Sequence, residues 1–473
     1  MVAIGVKRSD KSRPNPKDAP MSRLLATALL LVTAAAPGLA ASRVEQAAAV
    51  RDAALAKSEA FPILEDLTTS IGQRLAGTAA EARARDWAVK AMAKAGLTNI
   101  KTEPFPLKIW TRGTESAEIT GSHPQRLAVA ALGYSGATPP EGITAPVAYF
   151  ADYKALEEAA PGSLAGKIAF IDHHMMRTQD GSSYGSNGPV RRAGPALAQS
   201  KGAAAVLIRS LGTDSHRNPH TGGTVAAPGT DPIASLALSL PDADQLVRLL
   251  KRGPVTIKLV SVPTTAPGMS ANVSGEIPGS AAGEIVVIGG HLDSWDLGTG
   301  VIDDGAGVAI TLAAAKAIKD AGLTPRRTIR VVFFGAEELG LIGGTAYAEA
   351  HRAENIVMAA ESDSGADRIY RLSSKVADAG LPLVAEINRT LAPLGIAPTR
   401  NNSAGGGPDV GALGAQGVGI LDLEQDMSRY FDLHHTSDDT LDKVDRAQLD
   451  QNVAAWAAAT WLAASDDRPL RTK

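Results

Sequence analysis

Five residues of the metal-ligand type stand in one ordered series in the second half of the chain. They are His291, Asp303, Glu338, Asp363 and His435. Each of them lies where a hydrophobic run gives way to a Gly-rich or polar turn. Imidazole and carboxylate groups are ligands that Zn²⁺ accepts, and one tetrahedral ion does not need five of them. The series therefore predicts two metal ions that share a carboxylate and activate water for hydrolysis.

The second residue of the series is predicted to hold the two ions together. Two divalent ions about 3.5–4 Å apart repel each other unless a carboxylate bridges them. Asp303 suits this role because it is a short carboxylate on a Gly-flanked turn. The predicted ligand sets are His291, Asp303 and Asp363 for one ion, and Asp303, Glu338 and His435 for the other. Two histidines favour Zn²⁺ over Mg²⁺ or Ca²⁺, which prefer oxygen ligands.

A carboxylate beside the third ligand is predicted to move the proton. Glu337 and Glu338 are adjacent, and adjacent side chains of an extended chain point in opposite directions. Glu338 is therefore assigned as the ligand. Glu337 is assigned as the general base that takes a proton from the attacking water and passes it to the leaving amine. Asp293 follows His291 by two residues and is predicted to accept a hydrogen bond from the second imidazole nitrogen.

The other histidines fit metal binding less well. His434 competes with His435 for the last ligand position, and His435 is preferred because it directly precedes a Thr-Ser-Asp turn. His216 and His220 lie in a loop rich in Pro, Asn and Gly, so a loop role is predicted for both. The pair at 173–174 ends a β-like run and is predicted to be structural. No GxSxG motif stands in a convincing strand–turn–helix setting, which weighs against a serine hydrolase.

An alternation of strands and helices separates the residues of the series. Predicted strands cover 284–290, 327–335, 355–361 and 417–423, and predicted helices cover 305–322, 341–353, 381–395 and 452–464. Such alternation predicts an α/β domain whose mostly parallel sheet is covered on both faces. The chemistry is then expected at the carboxyl ends of the strands.

The first half of the chain has a different texture. Amphipathic helices are predicted over 43–67 and 77–96, followed by an extended strand over 99–110. Between about 125 and 265, short β-like runs alternate with loops rich in Gly, Pro, Asn and Thr. This pattern predicts a small β-rich module inserted between the first helices and the segment that carries the ligands.

Length and composition exclude several classes of protein. At 473 residues the chain predicts two domains, or one large domain that carries an insertion. Its 47 basic and 50 acidic residues nearly balance, so the overall charge gives no sign of nucleic-acid binding. With 0 Cys, thiol nucleophiles and thiolate metal ligands are excluded, which leaves histidine and carboxylate groups as the strong ligands.

The N-terminus has the pattern of a cleavable signal peptide. Arg23 precedes an apolar run at 24–36, and small residues follow it. The run is too short to span a bilayer as a mature helix, and cleavage is predicted after Ala40 or Ala41. Met21 is a possible true start, since the residues before it are polar. A periplasmic or secreted protein with no membrane segment after cleavage is therefore predicted.

With these residues identified, the chain resembles the co-catalytic zinc peptidases of the aminopeptidase and glutamate carboxypeptidase family, and among them the carboxypeptidase Q-like peptidases. The likeness covers nearly the whole predicted mature chain. The segments that carry it are IGQRLAGT (71–78), GGHLDSWDLGTGVIDDGAG (289–307), GAEELG (335–340), ESDSG (361–365) and YFDLHHTSDDT (430–440). The resemblance implies the same metal and base roles for the residues assigned above.

The resemblance also implies the fold. It predicts an α/β/α sandwich catalytic domain of the zinc-peptidase, phosphorylase/hydrolase-like type, with an inserted protease-associated-type domain. The predicted boundaries are 1–40 for the signal region, 41–124 and 266–473 for the two parts of the catalytic domain, and 125–265 for the insert. A homodimer is a further implication of the family.

Details of the substrate site follow from the resemblance as well. A cis peptide between Asp303 and Asp304 is implied. Tyr430 and Asp409, which ends the Gly-rich loop 405–409, are candidates for stabilising the oxyanion or holding the substrate. In the insert, residues 219–222 are candidates for reaching the substrate.

The sequence thus predicts an exported exopeptidase that uses two Zn²⁺ ions, bridged by Asp303, to hydrolyse dipeptides or short peptides. An aminopeptidase acting on longer peptides is an alternative, because the same metal core serves both activities. Two more distant alternatives are a glutaminyl-cyclase-like acyltransferase, which would bind one zinc, and a non-catalytic binding protein, which would not need Glu337.

Overall fold

Two eight-stranded sheets organise the residues that the computed structural model describes, which are 41–281, 283–399 and 401–473. The predicted signal region 1–40 lies outside these residues. The helices are α1 Arg43–Ala56, α2 Ala60–Ser70, α3 Ala79–Lys94, α4 Tyr153–Glu157, α5 Ser182–Arg192, α6 Gly194–Ser200, α7 Leu240–Leu250, α8 Ala306–Asp320, α9 Ile342–Ala350, α10 Leu381–Leu391, α11 Gly411–Ala415, α12 Tyr430–Leu433 and α13 Arg446–Ser465. The strands are β1 Thr98–Thr111, β2 Glu115–Ile119, β3 Gln125–Leu127, β4 Val129–Ala131, β5 Ile143–Phe150, β6 Ile168–Ile171, β7 Ala205–Arg209, β8 Ser235–Leu238, β9 Thr256–Ser261, β10 Thr264–Ile277, β11 Glu284–His291, β12 Thr328–Phe334, β13 Asn355–Glu361, β14 Ile369–Lys375, β15 Ala397–Pro398 and β16 Gly419–Gln425.

The first sheet has the strand order β1-β10-β12-β11-β13-β16-β14-β15. Its four central strands, β12, β11, β13 and β16, run parallel, as the sequence predicts. The pairs β1–β10, β10–β12 and β14–β16 on either side are antiparallel. The alternation of strands and helices in the sequence does not predict these antiparallel pairs. Pro104 and Pro106 lie in β1 at the edge of this sheet, where a missing main-chain N–H breaks no ladder bond. The sheet is therefore mixed, with a parallel centre.

Helices cover both faces of the first sheet. Along β11, Val286 and Ile288 face a core shared with α8 and α13. The alternate residues Ile285 and Val287 face a second core shared with α9 and α11. Because successive side chains of a strand point to opposite faces, a strand with no polar alternation must be buried on both sides. No helix among the described residues is both long and apolar enough to cross a bilayer.

The segment predicted as one helix over 43–67 forms two. α1 ends at Ala56 and α2 begins at Ala60. Lys57 is extended, which ends the first helix. The Ser58 hydroxyl then accepts a hydrogen bond from the Ala60 N–H at 3.2 Å, just before the second helix. An apolar spacing that suits one helix is thus interrupted at the extended Lys57, and a local side-chain hydrogen bond follows the break.

The second sheet has the strand order β3-β2-β9-β5-β6-β7-β8-β4. Its strands lie between Glu115 and Ser261, close to the predicted insert at 125–265. Four of them, β5 to β8, run parallel, and the apolar residues of β6 and β7 pack into one core on each face. Residues 42–473 form one compact unit, so this sheet is packed firmly against the rest of the chain.

Candidate metal centre

The five predicted ligands converge where the parallel strands end. His291 is the last residue of β11, Glu338 lies on the turn after β12, and Asp363 follows β13 by two residues. Asp303 comes from the turn before α8, and His435 from the turn after α12. Because neighbouring parallel strands end at the same edge of a sheet, side chains far apart in sequence face one another there.

Asp303 lies between the two histidines. Its Oδ1 is 3.0 Å from His291 Nε2, and its Oδ2 is 3.1 Å from His435 Nε2. Asp363 Oδ1 lies 3.4 Å from His291 Nε2. Glu338 Oε2 lies 3.0 Å from His435 Nε2. Two sets of ligand atoms therefore share the Asp303 carboxylate, with one of its oxygens in each set.

These two sets fit divalent zinc. Atoms bound to a tetrahedral zinc ion at about 2.0–2.2 Å lie about 3.3–3.5 Å from one another, and the separations found here are close to that. Asp363 Oδ1 is buried and has no hydrogen-bond partner among the described residues. An unpaired buried carboxylate oxygen is costly, and a cation bound beside it would offset that cost.

Negative charge is concentrated in this buried site. Burial, opposed by His291 and reinforced by Glu338, raises the pKa of Glu337 well above its usual range. Burial and the neighbouring Asp303 raise the pKa of Glu338 in the same way. Burial also disfavours ionised Asp303, yet hydrogen bonds from His291 and His435 hold its pKa well below the usual range. Bound divalent ions would compensate the negative charge of these carboxylates.

Asp293 contacts the first ligand and the predicted base, but by different atoms than predicted. His291 Nδ1 lies 3.0 Å from the main-chain oxygen of Asp293, whereas the Asp293 carboxylate is 3.7 Å away. The chain turns where β11 ends, and this turn brings the carbonyl rather than the side chain to the ring. The Asp293 carboxylate instead accepts a hydrogen bond from the Glu337 N–H at 3.1 Å. Asp293 therefore links the His291 turn to the Glu337 turn.

Asp304 supports the main chain beside Asp303. The peptide bond between these two residues is cis, as the resemblance implies. Separations alone would allow Asp304 to join His291 and Asp363 around an ion. Both of its oxygens, however, accept main-chain hydrogen bonds, from His291 at 3.0 Å and from Gly307 at 2.9 Å. This bonding favours Asp304 as a support for α8 and the β11 end rather than as a ligand.

Glu337 and Glu338 face different surroundings. Ala336 before them has a φ of +57°, a left-handed conformation that turns the chain sharply after β12. Glu338 directs Oε2 to His435 and accepts a hydrogen bond from the Trp295 N–H through Oε1 at 3.2 Å. The Glu337 carboxylate makes no hydrogen bond to the described residues and lines the cleft above the site. It is thus free to meet a substrate.

His434 and His435 stack on each other, with ring centres 3.5 Å apart. His434 Nε2 lies 3.6 Å from Asp303, and its Nδ1 has no hydrogen-bond partner among the described residues. Separations alone would group Asp303 with both histidines, but only His435 also contacts Glu338. Burial, together with the neighbouring His435, holds the pKa of His434 well below its usual range. His434 is therefore a neutral aromatic wall of the cleft.

Of the two candidates for contacting substrate, Tyr430 lines the cleft and Asp409 does not. Burial and Asp303 raise the pKa of Tyr430 well above its usual range, so its hydroxyl stays protonated. Asp409 accepts a hydrogen bond from the Gly344 N–H at 3.0 Å and donates its own N–H to Glu361 at 2.8 Å. Through these bonds Asp409 supports Gly344 and Glu361 and does not face the cleft.

The structure agrees with the predictions for His216 and His173 and corrects the one for residues 219–222. His216 is an exposed loop residue, as expected, with 66% of its side chain accessible. His173 donates to the main-chain oxygen of Arg209 within the second sheet, which agrees with a structural role. His220 is fully buried, and residues 219–222 do not line the cleft. The loop turns inward beneath His435, so this segment does not reach the substrate position.

A cleft of about 990 Å³ opens above the ligands. One wall comes from the first sheet and includes the loop residues 337–341 and 406–408 and residues 422–425 of β16. The other comes from the region of the second sheet and includes 223–226, 230–232 and the C-terminal end of α5. The ligands are therefore reached from a space enclosed by both halves of the chain.

Three residues that position the site were not singled out from the sequence. Asp439 accepts main-chain hydrogen bonds from the Asp303 turn. Arg74 is buried and donates to the main-chain oxygens of Thr299 and Gly300 in the same region. Arg74 and Asp439 lie in the segments 71–78 and 430–440, which carry the resemblance. Their charged side chains within those segments are the sequence signal that could have identified them. Thr221 offers no such signal, because its partner His435 is 214 residues away.

The comparisons with known protein sequences all point to one family of peptidases. The sequence profile of Peptidase family M28 matches residues 272–460. Carboxypeptidase Q of Bos taurus is 33% identical over 420 residues, which is 88% of this chain and 87% of that protein. Carboxypeptidase Q of Mus musculus is 34% identical over 411 residues, or 85% of each chain. These likenesses extend well beyond the ligand-bearing segments.

Solved structures agree in fold. The crystal structure of a Peptidase M28 precursor from Shewanella amazonensis SB2B superposes with a TM-score of 0.89 at 44% identity, covering 91% of this chain and 98% of that one. A zinc aminopeptidase from Bacillus subtilis superposes with a TM-score of 0.62 at 21% identity, covering 88% of this chain and 95% of that one. The second likeness is one of fold, and it includes the region of the second sheet.

Proposed function

This chain belongs to peptidase family M28 and is a zinc-dependent metallopeptidase, and on that premise we propose that it is an exported exopeptidase that holds two zinc ions and hydrolyses dipeptides or other short peptides. The observation that carries the proposal is the position of Asp303, whose two oxygens face His291 and His435 separately. One carboxylate thereby serves two ligand sets.

We assign each ion to one of these sets. His291, Asp303 and Asp363 would hold the first, and Asp303, Glu338 and His435 the second. The separations of 3.0–3.4 Å within each set support this assignment. When bound, zinc supplies a Lewis acid that polarises the scissile carbonyl and lowers the pKa of water.

The protein's own share of the chemistry falls to Glu337. Its carboxylate lines the cleft, while its neighbour Glu338 is occupied with His435. Glu337 takes a proton from the attacking water and delivers it to the nitrogen of the leaving amine. The bond from the Glu337 N–H to Asp293 fixes the start of this turn. The Tyr430 hydroxyl stays protonated and lies in the same cleft, so it can donate to the developing oxyanion.

The cleft also suits a small zwitterionic substrate. Arg192 of α5 lines it, is exposed, and forms no ion pair with the described residues. Asp422 of β16 lines it as well, and burial together with Glu424 raises its pKa to about 6. A dipeptide carries a carboxylate and an ammonium group, and charges of both signs are present to meet them. The likeness to carboxypeptidase Q supports the same substrate class.

Two further parts of the proposal concern export and the second sheet. Export rests on the sequence pattern of residues 1–40, which the described residues do not include. We propose that the second sheet, with strands between Glu115 and Ser261, is the protease-associated-type insert, because it interrupts the first sheet's strands and walls the cleft. Homodimer formation stays an expectation from the family.

A peptide panel with and without a zinc chelator tests the function. The panel holds free dipeptides, their N-acetylated and C-amidated forms, and a longer peptide with free ends. We expect chelator-sensitive release of amino acids from free dipeptides and weak release from both blocked forms. Equal activity on amidated and longer peptides would instead identify an aminopeptidase. Absence of any chelator-sensitive release would contradict the peptidase assignment.

A further inference from the structure

A loop of the second-sheet region packs directly against the turn that carries His434 and His435. We call residues 213–221 the 213–221 loop. The Thr213 N–H donates to the main-chain oxygen of Phe431 at 3.0 Å, and its hydroxyl donates to Asp432 at 2.8 Å. At the other end of the loop, the Thr221 N–H donates to the main-chain oxygen of His435 at 3.1 Å. The loop therefore runs beside α12 at one end and beside the turn that carries His434 and His435 at the other.

His435 needs such support because of its backbone. Its φ is +61°, in the left-handed region that non-glycine residues adopt only at a cost. A conformation of this kind persists where surrounding contacts determine it. Thr221 provides two such contacts, since its N–H binds the His435 oxygen and its own oxygen lies 3.2 Å from His435 Nδ1.

The second contact also orients the imidazole. A main-chain oxygen can only accept, so the contact with Thr221 favours the tautomer that carries its proton on Nδ1, although Arg191 Nη1 also lies 3.4 Å from that nitrogen. The lone pair of Nε2 then faces Asp303 and Glu338, as a metal ligand requires. Thr221 itself is fully buried, and its hydroxyl is bonded to the main-chain oxygen of Ala131 at 2.7 Å. The support is thus anchored in the second-sheet region.

His220 supports the neighbouring residue of the turn. Its Nδ1 lies 2.7 Å from the main-chain oxygen of His434, and its Nε2 lies 3.0 Å from Asp214. Both neighbours are hydrogen-bond acceptors, so the His220 ring is fixed between the His434 carbonyl and the Asp214 carboxylate. The side chain is fully buried. This arrangement connects the Asp214 carboxylate through His220 to the turn that carries His435.

We propose that His220, together with Asp214 and Thr221, positions the metal ligand His435, so that the 213–221 loop sets the zinc affinity of the position served by His435 and Glu338. The inference rests on the proposed function, because it concerns the same metal centre. His220 touches neither substrate nor ion, and it acts only through the His434–His435 turn. The other position, formed by His291 and Asp363, receives none of these contacts and is expected to be unaffected.

Zinc binding to the whole protein, measured by competition with a chromophoric chelator, tests this inference. Wild type is expected to bind two ions. His220→Ala is expected to bind one of them about 10-fold to 100-fold more weakly, while the other keeps its wild-type affinity. Added zinc should restore the lost turnover. A residue with only a general stabilising role would lower the thermal midpoint without this selective loss.

Two further variants keep the result interpretable. His174→Ala changes an exposed histidine of the second-sheet region that forms no side-chain hydrogen bond or ion pair with the described residues, and it should leave both zinc affinities unchanged. Asp214→Asn/His220→Leu changes both partners of the His220–Asp214 contact while filling the space, so it guards against a fold defect in His220→Ala. Circular dichroism and thermal unfolding establish that each variant is folded.

The outcomes are distinct. If wild type binds two ions and a folded His220 variant binds both with wild-type affinity, the inference is wrong. An equal loss at both positions would also overturn it. If wild type itself binds no zinc, the proposed function fails first, and that result does not depend on His220.

Discussion

The Asp439 carboxylate accepts a hydrogen bond from the main-chain N–H of Asp303 at 3.2 Å. Through its other oxygen it accepts from Val301 at 2.9 Å and from Ile302 at 2.6 Å. Three successive N–H groups of the turn thus point at one carboxylate. Because Asp303 must present an oxygen to each histidine, its position depends on Asp439, a residue four places after His435.

Asp439→Asn is expected to weaken the metal centre. The amide replaces one accepting oxygen by a donor, which opposes one of the N–H groups of the turn. We expect zinc affinity or kcat/KM to fall about 10-fold to 100-fold, the usual cost of removing a group that orients a ligand. Zinc titration and steady-state kinetics measure the two quantities. Asp438→Asn is the matched control, because that neighbouring side chain is 41% accessible, and an equal loss there would argue against a specific role for Asp439.

Zinc content should separate the shared ligand from an unshared one. Asp363→Asn removes a ligand from one set, so the purified variant is expected to keep about one ion where wild type keeps two. Asp303→Asn affects both sets and should lower the content further. Elemental analysis after gel filtration gives the stoichiometry. Retention of two tightly bound ions by Asp303→Asn would refute the shared carboxylate.

The pH dependence of stability should reflect Asp466, a fully buried carboxylate after α13. Burial disfavours its ionised form, but hydrogen bonds from Arg468 and Arg43 outweigh burial and lower its pKa from 3.8 to about 2. A lowered pKa stabilises the folded chain above the unfolded value and ceases to do so as the pH falls towards 2.

Asp466→Asn is therefore expected to lower the free energy of unfolding by about 2 kcal/mol at pH 7. The difference from wild type should shrink to about half at pH 3. Denaturant unfolding at both pH values, with chelator present so that metal loss at low pH is common to both proteins, measures it. A difference that is the same at pH 7 and pH 3 would show that Asp466 acts by packing alone.

Much of the ligand set is predictable because it follows strand ends. His291, Glu338 and Asp363 each lie at or within a few residues of the end of a hydrophobic strand, and the parallel centre of the sheet brings such ends together. The sequence pattern therefore locates the site without a structure. It does not predict which atom of Asp293 meets His291, because that depends on the direction in which the chain turns after β11.

Contacts between the two sheets are harder to predict. The bonds of His220 and Thr221 to the His434–His435 turn join segments 214 residues apart. No local pattern marks such a pair, and a Pro- and Gly-rich loop is typical of an exposed segment. The break in the predicted first helix is also missed, since it depends on the extended backbone of Lys57, which the apolar spacing does not mark.

The central claim is that Glu337 moves the proton while the metals are held by other side chains. Glu337→Gln keeps the size of the side chain and removes its basicity. Glu349→Gln, on the surface of α9 with 69% of its side chain accessible, is the matched control. Both variants would first be shown to bind two zinc ions like wild type.

The deciding measurement is kcat on a free dipeptide for zinc-loaded Glu337→Gln. We predict a fall of about 10²-fold to 10⁴-fold, the contribution of a general base, with KM nearly unchanged and the control fully active. Wild-type turnover by Glu337→Gln with both ions in place would contradict the mechanism.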